Sequence, residues 1–85
     1  MHTLYLKTQS CVAAIGSLTL AVKAQNALLS ESVRAAVRPL SPGETRGGCA
    51  FGVAFPCEEE GKVRAILRRE KIGVRQLLRK EGPPL

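Results

Sequence analysis

At 85 residues the chain is one domain, large enough for a two-layer core but too small for a deep internal cavity. Hydrophobic residues make up 45%, which excludes a disordered chain; only Tyr5, Phe51 and Phe55 are aromatic, so Ala, Val, Leu and Ile must build the core. The net charge of +6 is uneven, with four basic and one acidic side chain in residues 1–43 and nine and six in residues 44–85; it fits a solvated surface and also attraction to nucleic acid, an anionic membrane face or an acidic partner.

Thr3–Leu6 is an optional extra strand at a sheet edge. Val12–Ile15 reads as a short apolar strand ended by Gly16-Ser17. Lys7 ahead of the apolar stretch Cys11–Val22 invites comparison with a signal peptide. That stretch falls short of the ~20 apolar residues of a membrane span. Gly16, Ser17 and Thr19 interrupt it, and Lys23 stands where a cleavage region is neutral. It reads as part of the fold.

Ser17 is a good N-cap, and Leu18–Ser30 has helical spacing. Thr19, Lys23, Asn26 and Ser30 form a polar stripe opposite Ala21, Ala24 and Leu28. Val33–Leu40 then alternates, with Val33, Ala35 and Val37 on one side and Arg34, Ala36 and Arg38 on the other, as a half-exposed strand does. Ser41–Gly48 is a polar loop closed by Gly47-Gly48. Cys49–Phe55 alternates again: Cys49, Phe51, Val53 and Phe55 share one face, and Ala50, Gly52 and Ala54 the other. Glu58, Glu59 and Glu60 suit the positive end of a second helix. Val63, Ile66 and Leu67 form its apolar stripe, and Gly73 is its expected C-cap. Val74–Leu78 reads as a last strand and residues 80–85 as a tail.

The order strand, helix, strand, strand, helix, strand predicts an α+β fold. With right-handed crossovers it becomes a ferredoxin-like βαββαβ sandwich, a four-stranded antiparallel sheet with both helices on one face and a core over about residues 11–79.

Three cysteines and the single His2 lack the close spacing of a metal site, and the pattern implies no cofactor. An odd cysteine count fits poorly with a secreted disulfide framework, so the thiols read as reduced and the chain as cytoplasmic. Cys11 and Cys57 fall at one end of the sheet as neighbours; a redox pair is the lesser alternative there, and two separate structural thiols are the preferred reading. Cys49 falls at the other end. There the first strand ends at Gly16-Ser17 and the first helix begins, and free backbone N–H groups with the helix dipole favour a thiolate. Gly47 and Gly48 leave the sulfur uncrowded, and Arg46 adds positive charge. Cysteine is also a common core residue, and the alternation places Cys49 beside Phe51 and Val53.

RNA recognition modules share this fold and size, and Gly48-Cys49-Ala50-Phe51 is similar to part of their central-strand motif. Those modules stack bases on aromatic side chains of the open sheet face, where this chain has Ala50, Gly52 and Ala54. A basic version of that face, with Arg34, Arg38, Arg75 and Arg79, is the alternative reading, for nucleic acid or an acidic protein.

From Val12 to Leu78 the chain resembles the Se/S carrier protein-like family of small bacterial domains. The resemblance rests on the alanine-rich Ala21-Val22-Lys23-Ala24-Gln25 after the first strand, and on Pro42-Gly43-Glu44-Thr45-Arg46-Gly47-Gly48-Cys49-Ala50 leading into the third. Gly43 stands where the family has arginine, Ala50 where it has glycine, and Gln25 where it has glutamate. The resemblance implies a ferredoxin-like fold. It also implies that Cys49 holds sulfur or selenium as a persulfide or selenopersulfide, in transit from a donor enzyme such as a cysteine desulfurase to an acceptor protein. The chain would then be a carrier and not an enzyme.

Overall fold

The computed structural model describes residues 10–45 and 50–80. The proposed edge strand at Thr3–Leu6, the segment Arg46–Cys49 and residues 81–85 lie outside the described residues; of the expected tail 80–85, Lys80 instead ends the last strand. Four strands and two helices follow in the expected order: β1 (Ser10–Gly16), α1 (Leu18–Ser30), β2 (Ala36–Pro39), β3 (Phe51–Pro56), α2 (Glu60–Arg69) and β4 (Gln76–Lys80). A 3-10 turn at Pro42–Glu44 interrupts the β2–β3 connection, and another at Cys57–Glu59 leads into α2.

The sheet order is β2-β3-β1-β4, with every neighbouring pair antiparallel. Each helix therefore connects two parallel strands with a third strand inserted between them, the ferredoxin-like arrangement. Both helices lie on one face. Cys11, Ala13 and Ile15 of β1 and Val53 and Phe55 of β3 form one buried cluster with Ala21, Ala24 and Leu28 of α1 and Val63, Ile66 and Leu67 of α2. The alanines of α1 let that helix approach the sheet closely. No helix among the described residues is long and apolar enough to cross a membrane.

The far face is less open than the alternation predicts. Val12 and Ala14 are fully buried there, packed with Leu40, Ala54 and Leu78 in a second small cluster. This explains why Cys11–Ile15 is apolar without alternation: β1 is a central strand covered on both sides. It also explains Gly52. A Cβ there would stand 2.7 Å from Ala13 O, 3.0 Å from Val12 Cγ1 and 3.2 Å from Leu40 Cδ1, so the space is already filled by backbone and by Leu40.

The two helices end alike. Ser32 and Lys71 both take left-handed backbone, at φ 64° and 60°. The amides of Val33 and Ile72 then reach back to Leu28 O and Leu67 O at 2.9 Å, and those of Ser32 and Lys71 to Leu29 O and Arg68 O at 3.0 Å. Both ends are Schellman motifs, and the residue past each turn, Val33 or Ile72, is buried against the core. Two expectations are corrected here. Val33 belongs to the cap of α1 and not to β2, which is shorter than Val33–Leu40, and Lys71 takes the cap position assigned to Gly73.

Candidate functional site

β1 ends in a bulge. The pairing runs Ala14↔Gly52 and then Gly16↔Phe51, so Ile15 is the extra residue. Gly16 has φ 129°, a region that L side chains rarely adopt, and it turns the chain directly into α1. Ser17 caps the helix: Leu20 N–H donates to Ser17 Oγ at 3.2 Å, and Ala21 N–H donates to Ser17 O at 3.0 Å. The first amides, of Leu18 and Thr19, have no intrahelical acceptor. No acidic side chain occupies the first turn of α1, so nothing there offsets its positive end.

The start of β3 is brought to the same place. Gly16 and Phe51 are register partners, and Leu40 N–H donates to Ala50 O at 2.8 Å, extending the β2–β3 ladder one residue beyond Pro39↔Phe51. That bond ties the neck of the connecting loop. Within the loop, Glu44 Oε1 accepts from Ser41 N–H at 2.8 Å, and Thr45 is buried. Cys49, Arg46, Gly47 and Gly48 lie outside the described residues. The chain nonetheless returns to β3 through Ala50, one residue past Cys49, beside Gly16 and Ser17.

Arg75 joins this end of the sheet. Its N–H donates to Ala14 O at 2.9 Å, and its Nε would lie 3.9 Å from a Cβ built on Gly16. Sequence reasoning missed this placement, because it follows from the pairing of β4 with β1 and leaves no local signal. The expected basic face is corrected accordingly. Arg38 pairs with Gly52 on the face away from the helices, and Arg34 lines a shallow hollow with Ser10, Ala54 and Pro56. Arg79 pairs in register with Cys11, on the helical side, and its Nη2 meets Glu60 Oε1 at 3.1 Å. The four arginines do not share one face.

At the opposite end of the sheet Cys11 and Cys57 form a disulfide, with 5.0 Å between Cα atoms. The expectation of separate reduced thiols is thereby overturned. Cys11 points into the core from the start of β1, and Cys57 sits in the turn just past Pro56, which pairs with Ser10, so the register brings the two together. Cys11 is fully buried and Cys57 half-buried. With three cysteines in the sequence, Cys49 is the one outside the bridge.

These features define a small ferredoxin-like domain whose third strand starts beside the N-terminus of its first helix. Residues 10–79 match the family described as "Putative Se/S carrier protein-like", which is 70 of the 85 residues, and the chain belongs to that family. No curated protein and no solved structure matches the chain.

Proposed function

We propose that the chain is a sulfur or selenium carrier and not an enzyme. Cys49, as the thiolate, accepts a sulfane sulfur or selenium atom from a donor enzyme such as a cysteine desulfurase. It holds the atom as a persulfide or selenopersulfide and passes it to an acceptor protein by thiol exchange. The observation that carries this reading is the Cys11–Cys57 disulfide, which leaves Cys49 as the one cysteine of the chain without a cysteine partner inside the fold. Membership of a Se/S carrier-like family supports the cargo.

Three local features support a thiolate or persulfide anion at that end. The amides and dipole of α1 are directed there with no acidic residue in the first turn. Arg75 lies beside Gly16, and Arg46 adds a second cation close in sequence. Gly47 and Gly48, next to Cys49 in sequence, carry no side chains to crowd the sulfur. Gly16 and Ser17 serve the site through the bulge and cap that start the helix there. With Cys11 and Cys57 bonded, reduced thiols no longer argue for the cytoplasm, and the placement there rests on the carrier reading and its donor alone.

The test is intact-mass analysis after incubation with cysteine and a cysteine desulfurase. A one-sulfur adduct on Cys49 is expected, removed by reductant and missing from Cys49→Ser. A wild-type chain that stays unmodified under these conditions refutes the carrier reading.

A further inference from the structure

A disulfide in a protein that handles sulfur as a thiol adduct poses a chemical problem. Thiolates and persulfides attack disulfides, and exchange with the bridge would divert the cargo and unlock the fold. We propose that the Cys11–Cys57 disulfide is closed to thiol exchange in the folded chain, so that sulfur held on Cys49 leaves only to a thiolate on another molecule. The second half of this proposal rests on the carrier reading; the first half does not.

Access to the bridge is restricted at both sulfurs. Cys11 is fully buried within the cluster that includes Ala13, Val53 and Phe55, so its sulfur offers no face to a nucleophile. Cys57 is half-buried and is the reachable end. A thiolate RS⁻ attacking Cys57 Sγ forms an RS–Sγ bond and breaks the bond to Cys11 Sγ, which must depart as a thiolate. That charge would appear inside an apolar cluster, where no water solvates it. A second RS⁻ would then release Cys57 as a thiolate together with RS–SR. The nearest cation in register to Cys11 is Arg79, and it is already paired with Glu60.

Distance excludes Cys49 as the attacking group. Cys11 pairs with Phe55, Phe51 lies four residues further along β3, and the Leu40–Ala50 bond carries the ladder one residue more. At about 3.3 Å per residue, the Ala50 Cα stands roughly 16 Å from the level of Cys11. That separation is more than twice the ~7 Å between Cα atoms that a disulfide spans, and in sequence Cys49 is joined to Ala50 by a single peptide. Cys57 lies beyond Phe55 and is further still. A persulfide Cys49 Sγ–SH therefore meets no thiolate or disulfide of its own chain. It discharges when an external R′S⁻ attacks the outer sulfur, forming R′S–SH and returning Cys49 as the thiolate with no net oxidation.

The test uses the wild-type chain, dithiothreitol and iodoacetamide, with intact mass as the readout. Before reduction, the chain unfolded in urea alkylates at one cysteine. On adding dithiothreitol, the two further alkylations are expected at least about tenfold more slowly in the native chain than in urea. A native rate less than about tenfold below the unfolded one overturns the insulation of the bridge. In a second arm, the native chain is held in a buffer of glutathione and its disulfide and mapped by non-reducing proteolysis. Cys11 is expected linked only to Cys57. A monomer with Cys49 joined to Cys11 or Cys57 overturns the separation. Neither arm requires a sulfur donor, so failure here is distinct from failure of the chain to load sulfur.

Discussion

Ser32 and Lys71 carry a backbone cost that a glycine would not. Each sits at φ near +60°, where an L side chain crowds the following carbonyl by about 1–2 kcal/mol. Each is held there by the two back-bonds of a Schellman turn and by the burial of the next residue. Lys71→Gly is therefore expected to raise stability by roughly 0.5–1 kcal/mol, the steric relief less the glycine's added unfolded-state entropy. Gly73→Ala, by contrast, meets nothing within 4 Å and involves no positive φ, and is expected to be tolerated. Urea denaturation of the two variants compares them directly; a stability loss in Lys71→Gly would refute this account. Gly73 looked like the cap because sequence shows only which residue tolerates the left-handed region. Which residue is driven there is set by how far α2 runs before Ile72 must turn into the core.

At the scale of the elements, β2 is an edge strand, and its outer side is blunted. Leu40 N–H points inward to Ala50, so by alternation the outward positions are 37 and 39. Val37 N–H donates to Gln25 Oε1 of α1 at 2.8 Å, and Pro39 has no N–H to offer. A strand seeking to add at this edge finds neither donor free. Gln25→Ala is expected to cost about 1 kcal/mol, as one part-buried hydrogen bond is lost, and to increase self-association at high concentration. Gln25→Glu keeps the acceptor and should do neither. Denaturation midpoints with size-exclusion chromatography separate the outcomes, and a fully stable, monomeric Gln25→Ala would count against the role. The helix Leu18–Ser30 was legible residue for residue, because Ser17, the polar stripe and the alanines all agree. The strands were legible in order but not in extent, and the face of Arg79 in β4 was not legible. Their ends depend on the caps of neighbouring helices and on pairing partners, which lie far off in sequence.

For the whole molecule, the bridge joins residues 46 apart and fastens the first strand to the turn that opens the second helix. In the chain-entropy model a loop of that length is worth about 4 kcal/mol, a large share of what a domain this size can have. Cys11→Ala with Cys57→Ala is expected to lose about that much, and Cys49→Ser to lose almost none. Thermal unfolding without reductant compares the three chains; an equal loss in Cys49→Ser would mean that Cys49 is core and would count against the carrier reading.

The sequence by itself determined the fold class, the order of elements, and the core faces of both helices and of β3. Those features rest on periodicity and local turn chemistry, which short-range residues dictate. Only the tertiary structure decided that Cys11 and Cys57 are bonded, that Leu40 closes over Val12 and Ala14, that Arg79 turns toward Glu60, and that Arg75 stands beside Gly16. Each of these depends on strand register, and a shift of one residue would carry every side chain of the strand to the other face.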